Sequence, residues 1–211
     1  MPRVLIILAH PQLEHARVTS SMLDAVAALG PQADVQVRDL YALYPDYLID
    51  VAAEQAALQA AQLVVWLHPL HWYSMPPLLK LWQDEVLQFG WAYGPGGQAL
   101  SGRDLWWVTS TGAAESSYRP DGPSRYFFDA FVPPFEQTAA LCGMRFLPPM
   151  VLHGAHQRSQ AEIEAHAQVF AERLATYPHW PEIDELPPAP DCQVPSHERP
   201  AESGQRGDRS V

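Results

Sequence analysis

Three short segments of this sequence combine histidine, hydroxyl and aromatic side chains, and each follows an apolar stretch. The three segments are Ala9–Pro11, His68–Pro77 and Thr109–Tyr118. Imidazole, hydroxyl and phenol groups donate hydrogen bonds and protons, while aromatic rings contact flat apolar ligands. If the fold brings the three segments together, they predict a site that binds or transforms a small molecule.

The first segment leads to Arg17–Ser21, a basic and hydroxyl-rich stretch at the start of a predicted helix. Free N–H groups at a helix start and an adjacent arginine suit a phosphate, because the helix dipole favours negative charge there. The same hydroxyl groups also fit an ordinary helix cap, and there is no glycine-rich phosphate motif to decide between the two. His10 fits either a ligand contact or a loop or core histidine.

The second and third segments suit a flat ring with polar edges. Three prolines stiffen His68–Pro77, whose aromatic residues fit a ligand contact and a core or dimer contact equally well. In the third segment small hydroxyl residues stand beside Gly112, where the missing side chain lets a ligand approach the backbone. Tyr118 is a candidate donor of a proton or hydrogen bond, or a surface tyrosine.

Alternating strands and helices must position these segments. Apolar runs predict buried strands at 4–8, 63–67 and 105–108, alternation predicts a more exposed strand at 34–40, and a fifth strand is expected at 146–153. Helices are predicted at 20–29, 52–61, 77–89, 125–141 and 159–177. Pro133 and Pro134 mark an interruption in the fourth helix, and Ser159 with Glu162 forms a capping box for the last.

The repeated strand–helix order predicts an α/β doubly wound fold: a five-stranded parallel sheet with helices on both faces. Right-handed crossovers leave few topologies, among them the flavodoxin-like order 2-1-3-4-5. Ligands of such sheets bind at the carboxyl ends of the strands, near the point between the first and third strands. All three segments are expected at that edge.

Composition excludes several classes of protein. The chain has 24 acidic and 13 basic residues, a formal charge of −11, and no basic patch for nucleic acid. No apolar run reaches the length of a membrane span and the start does not resemble a signal peptide, so a cytoplasmic protein is expected. Two cysteines and nine histidines without ligand spacing predict neither a disulfide framework nor a metal site.

Prolines become dense near the end of the chain. Segment 178–211 contains few large apolar residues, so it cannot bury enough surface to offset its ordering entropy. We expect a folded domain at 1–177 and a proline-rich, mostly disordered tail at 178–211. Trp180 and Ile183 are candidates to dock on the domain.

The stretch HPLHWYSMPPLLKLWQDEVLQFGWAYGPGG, residues 68–97, resembles the flavodoxin-like NAD(P)H:quinone oxidoreductases. Ala9–Pro11 and Ser110–Gly112 match that family at its other two cofactor loops. Four further stretches resemble one subgroup, the cytoplasmic ancillary subunits of glutathione-gated potassium-efflux antiporters. They are Leu40–Asp46, Ile49–Gln55, Leu141–Gly143 and Leu147–Pro149.

The resemblance implies a homodimeric flavoenzyme with its site at the dimer interface. Such an enzyme uses NADH or NADPH to reduce the flavin, which then reduces a quinone by hydride transfer in a ping-pong cycle. The domain length fits FMN better than FAD. The cofactor-binding residues carried over are His10, Ala16, Arg17, Val18 and Thr19 for the phosphate and ribityl end, Leu70, His71, Trp72 and Tyr73 along the isoalloxazine, and Ser110, Thr111, Gly112 and Ala113 at its other edge.

Tyr118 and His71 are the catalytic candidates. Tyr118 stands where animal quinone reductases have a tyrosine that relays charge to the quinone, but Ser124 stands in place of their partner histidine. The relay is therefore incomplete in sequence. Ala16 and Thr19 also depart from the family, which usually has a serine and an asparagine there, and His71 replaces a common glutamine.

Two other functions fit the same resemblance. One is a regulatory subunit that binds a potassium-efflux antiporter at the inner face of the membrane, with the flavin partly structural. The other is an azo- or nitroreductase of the same fold.

Overall fold

The computed structural model describes residues 3–188, in which five strands form one sheet. The strands are β1 (Val4–Leu8), β2 (Val35–Asp39), β3 (Leu63–Pro69), β4 (Asp104–Ser110) and β5 (Arg145–Leu152). Every neighbouring pair is parallel and the order is β2-β1-β3-β4-β5, which confirms the predicted fold class and topology. β1 is buried along its length, whereas the edge strand β2 is partly exposed, as its alternating sequence predicts.

Helices cover both faces of the sheet. They are α1 (Arg17–Ala28), α2 (Leu40–Leu43), α3 (Val51–Ala60), α4 (Pro77–Val86), α5 (Pro133–Leu141) and α6 (Gln160–Thr176). α1 and α6 pack on one face through residues such as Met22 and Phe170. α3, α4 and α5 pack on the other through Leu58, Trp82 and Phe135. Each face therefore has its own hydrophobic core, as expected of a doubly wound sheet.

Three helices differ from their predicted limits by three residues or more, and one of them, α4, ends at Val86 rather than at residue 89. α1 begins at Arg17, three residues before the predicted start, and Ala16 is its N-cap. The helix predicted at 125–141 is wrong over its first part, where only a 3-10 helix forms at Phe128–Phe131. The α-helix begins at Pro133 instead, because the prolines lack an N–H and fit the first turn, where those N–H groups have no partner within the helix. The capping box of Ser159 and Glu162 is confirmed.

A buried carboxylate joins three elements on the α3 face. Glu54 is fully buried and accepts hydrogen bonds from Arg38 Nε at 2.7 Å, the Tyr44 hydroxyl at 2.5 Å and Trp82 Nε1 at 3.0 Å. These partners offset the cost of removing the charge from water. β2, α3 and α4 are fixed to one another by this network.

The chain beyond α6 packs on the domain as far as it is described. Trp180 and Ile183 are buried in the same core as α1 and α6, and a 3-10 helix spans Pro181–Asp184. Most of the predicted disordered tail, from residue 189 onward, lies outside the described residues. Within residues 3–188, no helix combines the length and apolarity needed to span a membrane.

Candidate active site

A cleft of about 500 Å³ opens at the carboxyl ends of β1, β3 and β4. This is the edge that the topology predicts, because the connections from β1 and β3 leave the sheet in opposite directions there. Ten of the thirteen residues predicted to bind the cofactor line it. They are His10, Ala16, Arg17, Val18, Thr19, Leu70, His71, Ser110, Thr111 and Gly112.

The start of α1 forms one end of the cleft. The first-turn N–H groups of a helix have no partners within it, and Ala16 at the N-cap supplies no side-chain hydrogen bond to them. Ser20 is not the cap, because its hydroxyl donates to the Leu13 carbonyl at 3.2 Å. Arg17 lies beside these groups, and its Nη2 donates to the Arg158 carbonyl at 3.2 Å. The arrangement leaves backbone donors and a positive charge for an anion.

The loop after β3 forms a two-residue turn at the rim. The backbones of His71 and Ser74 exchange hydrogen bonds of 3.2 and 2.9 Å, and the intervening Trp72 and Tyr73 have φ of +48° and +62°. Neither Trp72 nor Tyr73 lines the cleft. Trp72 is 93% exposed, and the Tyr73 ring stacks on Phe131 at 5.2 Å.

The loops after β4 and β5 are joined into one wall. The backbone N–H of Gly154 donates to the Ala113 carbonyl at 2.8 Å, and that of Ala155 donates to the Thr111 carbonyl at 2.9 Å. Ala113 thus lies behind the cleft rather than in its lining. A Cβ added to Gly112 would lie 3.4 Å from the His156 ring, so the missing side chain keeps this part of the cleft open.

Tyr118, the other catalytic candidate, is only 5% exposed and is not among the residues that line the cleft; it lies beside His153, which is distant from it in sequence. Its ring centroid is 5.3 Å from that of His153, the residue after β5, and the Thr111 hydroxyl is 3.1 Å from His153 Nδ1. The Thr111 hydroxyl also donates to the Ala113 carbonyl at 2.7 Å. Ser124, at the position of the expected partner, is in a turn where its N–H donates to Ser117.

Burial shifts the pKa of four groups in or beside the cleft toward the neutral form. It raises the pKa of Tyr118 above the usual value for a phenol. It lowers the pKa of His71 and His153, and it lowers that of His10 with a further contribution from His71. At neutral pH these imidazoles are therefore uncharged, which makes Arg17 the permanent positive charge in the lining.

Sequence analysis missed the contribution of the loop after β5. Ala155 and His156 line the cleft, as do Gln12, His15 and Pro69, and His153 approaches Tyr118. The sequence does indicate that this loop lies at the cleft, because His153 ends the predicted fifth strand and the carboxyl ends of parallel strands share one edge of the sheet. Among the described residues, no group of three or more histidine, cysteine or acidic side chains is placed to hold a metal ion.

Comparisons with known proteins agree with this architecture. The sequence profile of the flavodoxin-like fold family matches residues 2–174. The glutathione-regulated potassium-efflux system ancillary protein KefF of Salmonella schwarzengrund (strain CVM19633) is 44% identical over 181 residues, which cover 86% of this chain and 98% of KefF.

Two solved structures are similar over most of both chains. General stress protein 14 of Treponema denticola, crystallised in complex with FMN, is 40% identical with a TM-score of 0.77, covering 82% of this chain and 98% of that one. An NADPH-quinone reductase from P. pentosaceus is 26% identical with a TM-score of 0.72, covering 81% and 96%.

Proposed function

This chain belongs to the flavodoxin-like family of NAD(P)H:quinone oxidoreductases and potassium-efflux ancillary proteins, and we propose that it is an FMN-dependent NAD(P)H:quinone oxidoreductase. The observation that carries the proposal is the cleft at the sheet edge, which has an uncapped helix start at one end and the loops after β3 and β4 along its sides. A similar protein, general stress protein 14, was crystallised with FMN.

The donor set of the cleft fits FMN. The N–H groups at the start of α1 and the Arg17 guanidinium would hold the phosphate. Backbone groups of Leu70 and His71 and of Ser110–Gly112 would hold the two edges of the ring, and Gly112 leaves room for it. A volume of about 500 Å³ is in the range of pockets that enclose a ligand of this size. Bound FMN supplies two-electron redox chemistry, accepting a hydride from NADH or NADPH and passing it to the quinone.

Side chains of the protein itself would supply the proton that quinone reduction consumes. A quinone takes up a hydride and a proton to become a hydroquinone, so the site needs a proton donor. We assign this role to the Tyr118 hydroxyl, a phenol that is protonated at neutral pH and whose pKa burial raises further. His153 beside it would orient the Tyr118 ring in place of the histidine missing at Ser124, and Tyr118 would regain its proton from water. His71 at the rim would hydrogen-bond the substrate in its neutral form.

A homodimer with the flavin site at its interface is part of the proposal. Large aromatic side chains are exposed in the connections after β3 and β4: Trp72 at 93%, Tyr126 at 62% and Phe127 at 60%. Exposed aromatic groups in one region mark interaction surfaces. A second copy packed here would cover these rings and exclude water from the cleft.

A second function is supported by the similarity to KefF. At 44% identity over nearly the whole relative, the chain is a candidate ancillary subunit of a potassium-efflux antiporter. It would act on the cytoplasmic side of the membrane. In this role the bound flavin would stabilise the subunit even if the subunit reduced no substrate. The two functions are compatible, because one protein can reduce quinones and bind a transporter.

Turnover by the purified protein tests the proposal. The protein should be yellow, or become so with FMN, and should oxidise NADH or NADPH when a quinone is added. Azo dyes and nitroaromatics, offered at the same concentration, test for the azo- or nitroreductase alternative. A protein that takes up no FMN would contradict the proposal, while co-purification with an antiporter would support the ancillary role.

A further inference from the structure

His68 is a buried titratable residue next to the end of β3, and the proposed chemistry does not use it. Its side chain is 1% exposed, and burial lowers the pKa of His68 to about 4, so the ring is neutral at physiological pH. The rings of Trp107 and Phe135 stack on it at centroid distances of 6.0 and 5.8 Å. His68 therefore has one environment and little freedom to move.

Hydrogen bonds fix which nitrogen of His68 carries the proton. The Nε1 of Trp107 lies 2.9 Å from His68 Nε2. An indole nitrogen can only donate, so His68 Nε2 must accept and the proton must be on Nδ1. His68 Nδ1 is 2.9 Å from the Pro69 carbonyl, to which it donates.

The accepting carbonyl belongs to the loop that lines the cleft. Pro69 ends β3, and Pro69, Leu70 and His71 all line the cleft. The N–H of Leu70 donates to the Ser110 carbonyl at 2.8 Å, which joins this loop to the one after β4. The orientation of the Pro69 peptide thus sets how the chain leaves the sheet toward the cofactor.

The turn at Trp72 and Tyr73, which follows Pro69, requires a fixed orientation of the Pro69 peptide. Trp72 and Tyr73 both adopt left-handed backbone conformations, which side chains of this size rarely take up. Such a turn persists only when the surrounding structure holds it in place. On its interior side the Pro69 carbonyl is held by the hydrogen bond from His68 Nδ1.

We propose that His68 is a positioning residue for FMN and that Trp107 sets its tautomer. The ring fixes the Pro69 carbonyl and, through it, the direction in which the loop presents Leu70 and His71 to the cofactor. The inference rests on the proposed function, because FMN is the ligand that the loop would hold. His68 itself contacts neither FMN nor substrate.

Nuclear magnetic resonance of the histidine ring nitrogens tests the tautomer in the wild-type protein. The expected result is a neutral His68 protonated on Nδ1 both without and with FMN. A proton on Nε2, or a charged ring at neutral pH, would overturn the inference without the need for any variant.

FMN affinity, measured by the quenching of flavin fluorescence, tests the consequence. Trp107→Phe frees the other tautomer, which would turn a lone pair toward the Pro69 carbonyl. We expect FMN binding to weaken by about tenfold, the effect of losing one buried hydrogen bond. Trp82→Phe is the matched control, because Trp82 is also fully buried in the same core and donates its indole N–H to a buried side chain, Glu54.

Two further variants separate positioning from general destabilisation. His68→Leu should weaken FMN binding like Trp107→Phe, while His68→Asn, which keeps an N–H near Nδ1, should restore most of the affinity. The melting temperature of the FMN-free protein should fall in both tryptophan variants. If Trp82→Phe weakens FMN binding as much as Trp107→Phe, or if neither does, His68 is structural and the inference is wrong. If the wild type binds no FMN, it is the proposed function that fails.

Discussion

The ring of Tyr118 lies 5.3 Å from that of His153, although the two residues follow different strands of the sheet. Thr111 joins them, since its hydroxyl is 3.1 Å from His153 Nδ1. The pair restores a tyrosine–histidine arrangement that the sequence, with serine at position 124, lacks locally.

Removing the Tyr118 hydroxyl should slow quinone reduction. Because the proton donor is lost, we expect Tyr118→Phe to lower kcat by about 10- to 100-fold, at the lower end of what a general acid contributes. His153→Asn should have a smaller effect, because a tyrosine can regain its proton from water. Stopped-flow measurement of the quinone half-reaction, at several pH values, checks both. Tyr126→Phe, which removes an exposed hydroxyl, is the control; equal rates in all three variants would refute the assignment.

The charge of Arg17 should strengthen the binding of FMN but not that of riboflavin. If the guanidinium binds the phosphate, Arg17→Gln should raise the Kd for FMN by about tenfold, consistent with the loss of one charge-assisted hydrogen bond. Riboflavin lacks the phosphate, so its Kd should not change. Arg119→Gln removes a charge that pairs with Asp121 on the surface and should alter neither value. Equal losses for both flavins would place the phosphate elsewhere.

Glu162 should make stability depend on pH in acid. Hydrogen bonds from the Ser159 hydroxyl and N–H, followed by Arg158, lower the pKa of Glu162 to about 2 from an ordinary value of 4.5. The folded state therefore binds the proton less readily than the unfolded state, so this stabilisation is complete above pH 4.5 and is lost as the pH falls toward 2.

Glu162→Gln should weaken the dependence of stability on pH between pH 4.5 and 2. Its amide oxygen keeps an acceptor for the cap but does not titrate, so the fall in melting temperature between pH 4.5 and 2 should be smaller than in the wild type. Thermal unfolding followed by circular dichroism measures this. Glu164→Gln, two residues further along the same helix, is the control, and an identical effect there would show that the cap is not responsible.

The exposed aromatic rim should be required for dimer formation. Trp72→Ser and Phe127→Ser each remove a large exposed apolar side chain from the connections after β3 and β4, so the dimer should dissociate at higher protein concentrations than in the wild type. Analytical ultracentrifugation gives the dissociation constant. Val169→Ser changes a residue that is 47% exposed on α6, away from the cleft, and should leave the dimer intact. A monomeric wild type would contradict the proposed interface.

Local sequence patterns predicted the elements that depend on local rules. Val4–Leu8 is a strand as expected, because a short apolar run of β-branched residues suits a position in the middle of a parallel sheet. The capping box of Ser159 and Glu162 was also predictable from its local sequence pattern. One further rule, that ligands bind where parallel strands end, predicted the edge of the sheet at which the cleft opens, while its ten expected lining residues came from the family resemblance.

The contacts of His153 could not be predicted in the same way. Trp106 pairs with Leu147 but Val108 pairs with Met150, so β5 holds one extra residue opposite β4, at its two prolines. This irregularity shifts every later residue of β5 relative to its neighbour, which makes it impossible to count along the sequence to the residue that meets Tyr118. The distance from Tyr118 to His153 is a property of the assembled sheet.

The turn at Trp72 and Tyr73 has a consequence for how this protein can change by mutation. Asn-Gly is the pair that favours such a turn, and each of the two aromatic residues costs about 1–3 kcal/mol in its left-handed conformation. A sequence selected for stability alone would replace them. Replacing them would also remove the Tyr73 ring that stacks on Phe131 and the exposed Trp72 ring of the proposed interface, so stability-guided engineering should leave these two positions untouched.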